Sequence, residues 1–474
     1  MRPRPPTIGD MSRSVRLVPV IAVLLALALT GTACGGGSGR GVPGGAGLGD
    51  PYFPKAGNGG YDVGHYDLTL DYTPAGRRLT GTAVVTARAT RDLSAFDLDL
   101  AGLRVDSVRV RGEDARWERA GRELTVRPRT ALTAGDTFRT TVRYSGTPRT
   151  LTDPDGSAEG WLPTADGALA LGEPVGSAAW FPGNHHPSDK AAYDLTVTVP
   201  EGLQAVSNGE PAKQRTRGGR TAYHWHTAEP MASYLATVAI GHFDITRTTG
   251  PHGLPVVTAV DPAEAAASAG VLAKIPGIIG WEEDAFGPYP FSSTGAIVDR
   301  RDDAGYALET QNRPVFPGAP DTSTLVHELA HQWYGDSVTP GSWRDMWLNE
   351  GFATYAQWLY DEDHGGPTAQ QTFTRLYEGD HPEIWAFPPA EPPSAAHISG
   401  SPVYQRGAMV LQKIRQRTGD DTFRALLRGW ATAHRHATAT TADFTAYVRR
   451  TAPDEDFTEI WKDWLYGDGR PARP

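Results

Sequence analysis

The sequence predicts an α+β multidomain chain, with a β-sheet domain over residues 56–246 followed by a mostly helical domain over 247–474. Three observations carry this. Apolar and polar residues alternate from Tyr61 to about Ile245. After Thr246 the composition shifts to Ala-rich stretches with helical spacing. The 474 residues exceed what one simple core organises.

The elements follow in order. Arg13 and Arg16 precede an uncharged run from Leu17 to Leu29, the length of a signal-peptide core and short of the ~20 residues that a membrane helix needs. The run ends Leu29-Thr30-Gly31-Thr32-Ala33-Cys34, which resembles a bacterial lipoprotein cleavage site, and Cys34 is the only cysteine. Residues 1–33 are therefore expected to be a signal peptide and 34–55 a lipidated flexible spacer of Gly/Ser-rich composition. The expected location is the extracellular face of the cell membrane, lipid-anchored at Cys34, or secreted. Next, Tyr66, Leu68, Leu70 and Tyr72 share one strand face. So do Phe96, Leu98 and Leu100, then Val108 with Val110, then Leu195, Val197 and Val199. Gly, Pro and Asp punctuate these runs, the pattern of an antiparallel sheet. Helical patterns then occupy Ala263–Lys274, the segment around Leu325–Trp333, Met409–Arg417, Phe423–Ala433 and the tail Phe457–Leu465.

Charge excludes one class of function. The net charge is -10, and the segment before Cys34 carries four Arg and one Asp, so the remainder carries -13. Such an acidic body is a poor nucleic-acid binder.

The chemistry is concentrated in His327-Glu328-Leu329-Ala330-His331, followed after eighteen residues by Glu350. On a helix His327 and His331 lie one turn apart on the same face and can share a metal ion. Glu328 points to the adjacent side, within reach of water at that metal. Asn349-Glu350-Gly351-Phe352 opens a second helical pattern that can deliver Glu350 as third ligand. Two His, one Glu and an open position is the donor set of a catalytic zinc, which lowers the pKa of water to roughly 7. Glu328 is then the expected general base. The adjacent pair His185/His186 and the nearby His434 and His436 lack this spacing; the first are read as a loop pair and the second as a solvated helix end.

The run from Val326 to Asp336, with Trp343-Arg344-Asp345-Met346-Trp347-Leu348-Asn349-Glu350-Gly351-Phe352-Ala353, resembles the aminopeptidase N family of zinc metallopeptidases. Asp336 stands where that family more often has Asn. Ala304–Gln311 resembles the family's Gly-Ala-Met-Glu-Asn segment, with Glu309 on its Glu and with Tyr306, Leu308 and Thr310 departing from it. The resemblance implies that Glu309 binds the substrate's α-amino group by a charge-assisted hydrogen bond. Val403–Leu411 resembles the family's Tyr-basic-Gly-Ala segment, which implies that Tyr404 stabilises the oxyanion. Gly172-Glu173-Pro174 matches more weakly and implies that Glu173 reaches from the first domain toward the same amine. The resemblance spans about residues 60–470. It implies a curved β-sheet domain, a thermolysin-like catalytic domain over 247–474, one Zn2+ per chain and peptide substrates with a free N-terminus. The large helical C-terminal domain of longer members has no counterpart, which implies a more open cleft.

Two rivals remain at this point. Altered neighbours of Glu309 leave an endopeptidase open, separated from an exopeptidase by acetylating the substrate N-terminus. A non-catalytic peptide-binding lipoprotein would be expected to have lost a ligand or the base, and here the whole set is present.

Overall fold

Alternation in the first half produces strands with one buried face. In the computed structural model, which describes residues 41–472, the long strands are β1 (Tyr61–Thr73), β2 (Arg78–Ala89), β3 (Arg104–Val110), β4 (Thr137–Gly146), β5 (Lys190–Pro200) and β6 (Arg220–Ala232). They form a nine-stranded sheet in the order β6-β5-β1-β2-β4-β3, with three short strands completing it at its ends. Leu68, Leu70 and Tyr72 of β1 point inward, as their spacing requires.

One pairing departs from the antiparallel expectation. β5 lies parallel to β1, with Tyr193 opposite Tyr66 and Leu195 opposite Leu68. Period-2 patterning specifies which face is buried, not strand direction, and the long connection from β1 to β5 permits a parallel crossover. A second, five-stranded sheet contains Thr150–Thr152, Ala158–Pro163, Ala168–Leu171, Val238–Gly241 and Gln204–Ser207. Glu173 follows its third strand.

The domain boundary expected at 246/247 falls inside a strand. β7 (Asp244–Thr249) pairs with β8 (Pro255–Val260), which continues through β9 (Thr294–Asp299) to β10 (Val315–Pro317). β7 thus belongs to the second domain's sheet. Its alternation resembled that of the preceding strands because period 2 does not reveal which sheet a strand joins.

The segment expected to be spacer up to residue 55 is folded from residue 41. Val42–Pro43 pairs beside Leu93–Asp99. The buried Asp50 accepts hydrogen bonds from the N–H groups of Tyr52 and Phe53 (2.9 and 3.0 Å), from Ser342 Oγ (2.7 Å) and from Trp343 N–H (3.0 Å). Tyr52 donates to the Pro392 carbonyl at 2.6 Å. Gly-rich composition suggested flexibility, but long-range partners for one carboxylate order the strap. The expected signal peptide 1–33 and the anchor at Cys34 lie outside the described residues. Among the described residues no helix is long and apolar enough to cross a membrane.

The helices of the second domain are α1 (Ala265–Leu272), α2 (Ile275–Phe286), α3 (Thr322–Ala330), α4 (Trp347–Asp363), α5 (Ala369–Glu378), α6 (Gly407–Thr418), α7 (Asp420–Ala433) and α8 (Thr441–Thr451). The tail forms a further turn, π-helical over Ile460–Leu465. Asp321 caps α3, accepting from Thr324 N–H at 2.7 Å. α3 packs on α4, and α4 packs on α6 at backbone contact. A Cβ on Gly351 would stand 2.9 Å from the Gly407 carbonyl carbon. Only glycine permits this approach, which brings the start of α4 and the turn before α6 to one cavity.

The remaining histidines are more enclosed than their sequence context suggested. His185 is buried, bonded to Ser233 Oγ and the Phe181 carbonyl, both at 3.0 Å. His186 Nε2 stands 3.5 Å from Asp50, an acidic neighbour supplied by the strap. His434 ends α7, its ring tilted against Trp430 with centroids 4.0 Å apart, and His436 is half-buried rather than solvated.

Candidate metal centre and substrate cavity

α3 places His327 and His331 one turn apart, and the first turn of α4 supplies Glu350. His327 Nε2 and His331 Nε2 stand 3.2 and 3.5 Å from Glu350 Oε2. Ligands bonded about 2.1 Å from a tetrahedral zinc are separated by roughly 3.4 Å, so these edges fit the ion. The second ring nitrogens are engaged as a metal site requires. His331 Nδ1 donates to the Tyr334 carbonyl (3.1 Å) and His327 Nδ1 to Gln357 Oε1 (3.2 Å), leaving both Nε2 lone pairs toward Glu350. Burial pushes the Glu350 carboxyl up, but His331 and His327 outweigh it and hold it at about 2.

Two further convergences share this cavity. Ligand atoms of Glu309, Glu328 and His331 lie within 4.8 Å of one another, and so do those of Glu173, Glu309 and Glu350. Glu309 is positioned by a six-residue loop closed where Leu308 and Val315 exchange both backbone hydrogen bonds (2.9 and 2.8 Å), and by Asn349 Nδ2 donating to its Oε1 at 2.9 Å. Burial pushes Glu328 well above the usual carboxylate range; His331 opposes this, and Glu309 and Glu350 add to it. Burial, then Glu309 and Glu350, likewise push Glu173 up. Three carboxylates this close call for a cation between them.

Tyr404 lies in a π-helical turn, Pro402–Arg406, directly before α6, with its ring stacked 6.0 Å from that of His327. Burial first, then Glu350, keeps its phenol protonated and so able to donate. Arg406, which carried no role in the sequence reading, is buried and ties the tail down by donating to the carbonyls of Trp464 and Asp463, both at 2.9 Å.

The structure thus brings together every residue singled out from the sequence: His327, Glu328, His331, Glu350, Glu309, Glu173 and Tyr404 all line one cavity of about 400 Å³. A larger groove of about 640 Å³, bordered by Arg417, Glu459 and Trp464, shares no residue with it. Asn349 and Gln357, which orient Glu309 and His327, were missed by sequence reasoning. Adjacency to Glu350 could have marked Asn349; Gln357, two helical turns after Glu350, carried no signal. The hairpin tip with Asp153, Asp155 and Ser157 also lines the cavity and was missed.

Comparison with known proteins agrees with this architecture. The M1 N-terminal domain model matches residues 63–235, and the peptidase family M1 domain model matches residues 320–464. Probable aminopeptidase 2 of Sulfurisphaera tokodaii is 28% identical over 329 residues, covering 63% of this chain and 41% of its own length. Glutamyl aminopeptidase of Bos taurus is 25% identical over 335 residues, covering 63% of this chain and 34% of its own length. The chain thus spans less than half the length of these two curated relatives. An M1 zinc metallopeptidase from Deinococcus radiodurans superposes with a TM-score of 0.82 at 28% identity, covering 90% of this chain and 99% of that one. A mutant of that enzyme bound to a Tyr-Ser-Ala substrate matches equally well. With both of its domains matched in order, and with a β-rich first domain and a helical second domain carrying a His-His-Glu zinc donor set, the chain belongs to peptidase family M1.

Proposed function

We propose that this protein is a zinc-dependent aminopeptidase that hydrolyses the N-terminal peptide bond of peptides. The observation that carries the reading is the convergence of Glu173 and Glu309 beside Glu350. Two carboxylates able to hold an ammonium beside the metal donors support cleavage at the first peptide bond.

His327, His331 and Glu350 would hold the zinc, which when bound would supply the Lewis acidity that makes water nucleophilic near neutral pH. Glu328 takes the proton from the attacking water and passes it to the leaving amine; its enclosed setting favours the protonated form midway through the cycle. Tyr404 donates its hydroxyl to the oxyanion that develops on the scissile carbonyl. Glu309, fixed by Asn349, and Glu173 hold the substrate ammonium by charge-assisted hydrogen bonds.

The test is a panel of aminoacyl-arylamides and short peptides, each with a free and an acetylated N-terminus, assayed with and without chelator. Cleavage confined to free amines and abolished by chelator is expected. Equal cleavage of acetylated peptides would establish an endopeptidase instead.

We further propose a lipid anchor at Cys34 after removal of residues 1–33, which tethers the enzyme at the extracellular face of the membrane. The sequence Leu29–Cys34 and the absence of any other cysteine support it. Mass spectrometry of the mature N-terminal peptide tests it; an unmodified or uncleaved Cys34 contradicts it.

A further inference from the structure

The wall of the cavity that comes from the β-rich domain is a hairpin tip. Thr152 pairs opposite Ala158. Between them Asp153-Pro154-Asp155-Gly156-Ser157 closes on itself, with Asp153 N–H donating to the Ser157 carbonyl and Gly156 N–H to the Asp153 carbonyl, both at 2.9 Å. The strand that follows pairs with Ala168–Leu171, Gly160 opposite Leu171. Glu173 follows Ala168–Leu171, and it lines the same cavity as Asp153 and Ala158, so the tip stands beside the carboxylate assigned to the substrate amine.

Asp153, Asp155 and Tyr306 line the cavity there, and no Lys or Arg does. Asp153 is only 6% exposed, and its Oδ1 has no hydrogen-bond partner. The Tyr306 hydroxyl, from the loop before Glu309, is likewise buried without a partner. Burial, then the Asp155 carboxylate, pushes the Asp153 carboxyl up to about 7, so an arriving cation would complete its ionisation. An unpaired buried acceptor is costly, and a ligand that supplies the missing donor recovers that cost on binding. Asp153 and Asp155 belong to none of the described metal-spaced groups of three, so an organic cation is the better match.

We propose that Asp153, with Asp155 and Tyr306, forms the subsite for the side chain of the substrate's first residue and selects a guanidinium or ammonium, that is, Arg or Lys. This rests on the aminopeptidase reading, because the side chain leaves the same carbon that bears the held amine. A planar guanidinium fits best, since it can bond the carboxylate and still offer a donor to the Tyr306 oxygen. A first residue with a carboxylate side chain meets like charge and is the poorest substrate.

The experiment compares kcat/KM for arylamides of Arg, its nearly isosteric neutral analogue citrulline, Leu and Glu, with zinc content measured in each preparation. For the unmodified protein, Arg is expected to exceed citrulline by roughly ten- to hundredfold, the range of one charge-assisted hydrogen bond. Asp153→Asn is expected to bring that ratio to within about threefold, and the exposed Asp155→Asn to lower it less. Equal rates on Arg and citrulline in the unmodified protein would overturn the subsite, as would a ratio that persists in both variants. Should Asp153→Asn fail to fold, the unmodified protein and Asp155→Asn still decide. If no free-amine substrate is cleaved by zinc-loaded protein, the aminopeptidase reading itself falls, and the subsite with it.

Discussion

The two walls of the cavity are built differently. On the helical side three of the groups have partners that fix them: Tyr334 for His331, Gln357 for His327 and Asn349 for Glu309. On the β-rich side Asp153 keeps an oxygen with no partner, on a hairpin tip. The difference separates two tasks. The histidines that must meet a metal are held at one helix with their second ring nitrogens satisfied. Groups that must meet a variable side chain sit on a loop with bonding capacity left for the ligand. Changes on the helical wall should therefore slow all substrates alike, while changes on the β-rich wall should reorder them.

The largest effect is expected from Glu328→Gln, which removes the base without removing a ligand. Turnover should fall by roughly 10²–10⁴-fold with one zinc per chain retained by elemental analysis; an active variant would break the assignment of the helical wall. Tyr404→Phe comes next. Loss of a preorganised oxyanion donor should lower kcat by about 10²–10³-fold, equally for Arg and Leu substrates and with little change in KM. A selective loss for one substrate would move Tyr404 from chemistry to recognition. Gln357→Ala should weaken zinc binding by roughly 10–100-fold, read by competition with a chelating indicator, because His327 loses the partner that orients its ring.

The smallest effect concerns the strap. Burial pushes the Asp50 carboxyl up, but His186, Ser342 and the N–H groups of Tyr52 and Phe53 outweigh it and hold it well below the usual range. A depressed carboxylate contributes stability above its unfolded pKa of about 3.9 and loses it as pH falls below that. Asp50→Ala should therefore cost about 1–3 kcal/mol in urea unfolding at pH 7 and distinctly less at pH 3. An equal cost at both pH values would show that the strap is held by packing rather than by this charge.

Legibility in the sequence divides along the same line. His327, His331 and Glu350 were readable because helical periodicity fixes their mutual placement within one turn and one adjoining helix. Glu309, Tyr404 and Glu173 became readable only through resemblance, since nothing in their spacing ties them to α3. Asp153 was not readable: twenty residues before Glu173, it reaches the cavity through the register of three strands, which is a tertiary property. The strap misled for a related reason. Local Gly content spoke for flexibility, while the order comes from Ser342 and Trp343, some 290 residues away. The expected boundary cut through β7 because alternation is identical in both sheets.

The central claim is one zinc held by three named side chains. Diffraction from crystals of the purified protein at the zinc absorption edge tests it most directly. The account predicts a single anomalous peak within bonding distance of His327 Nε2, His331 Nε2 and a Glu350 carboxylate oxygen. A protein that cleaves free-amine peptides yet shows no peak there, or shows its zinc at another set of residues, would contradict it.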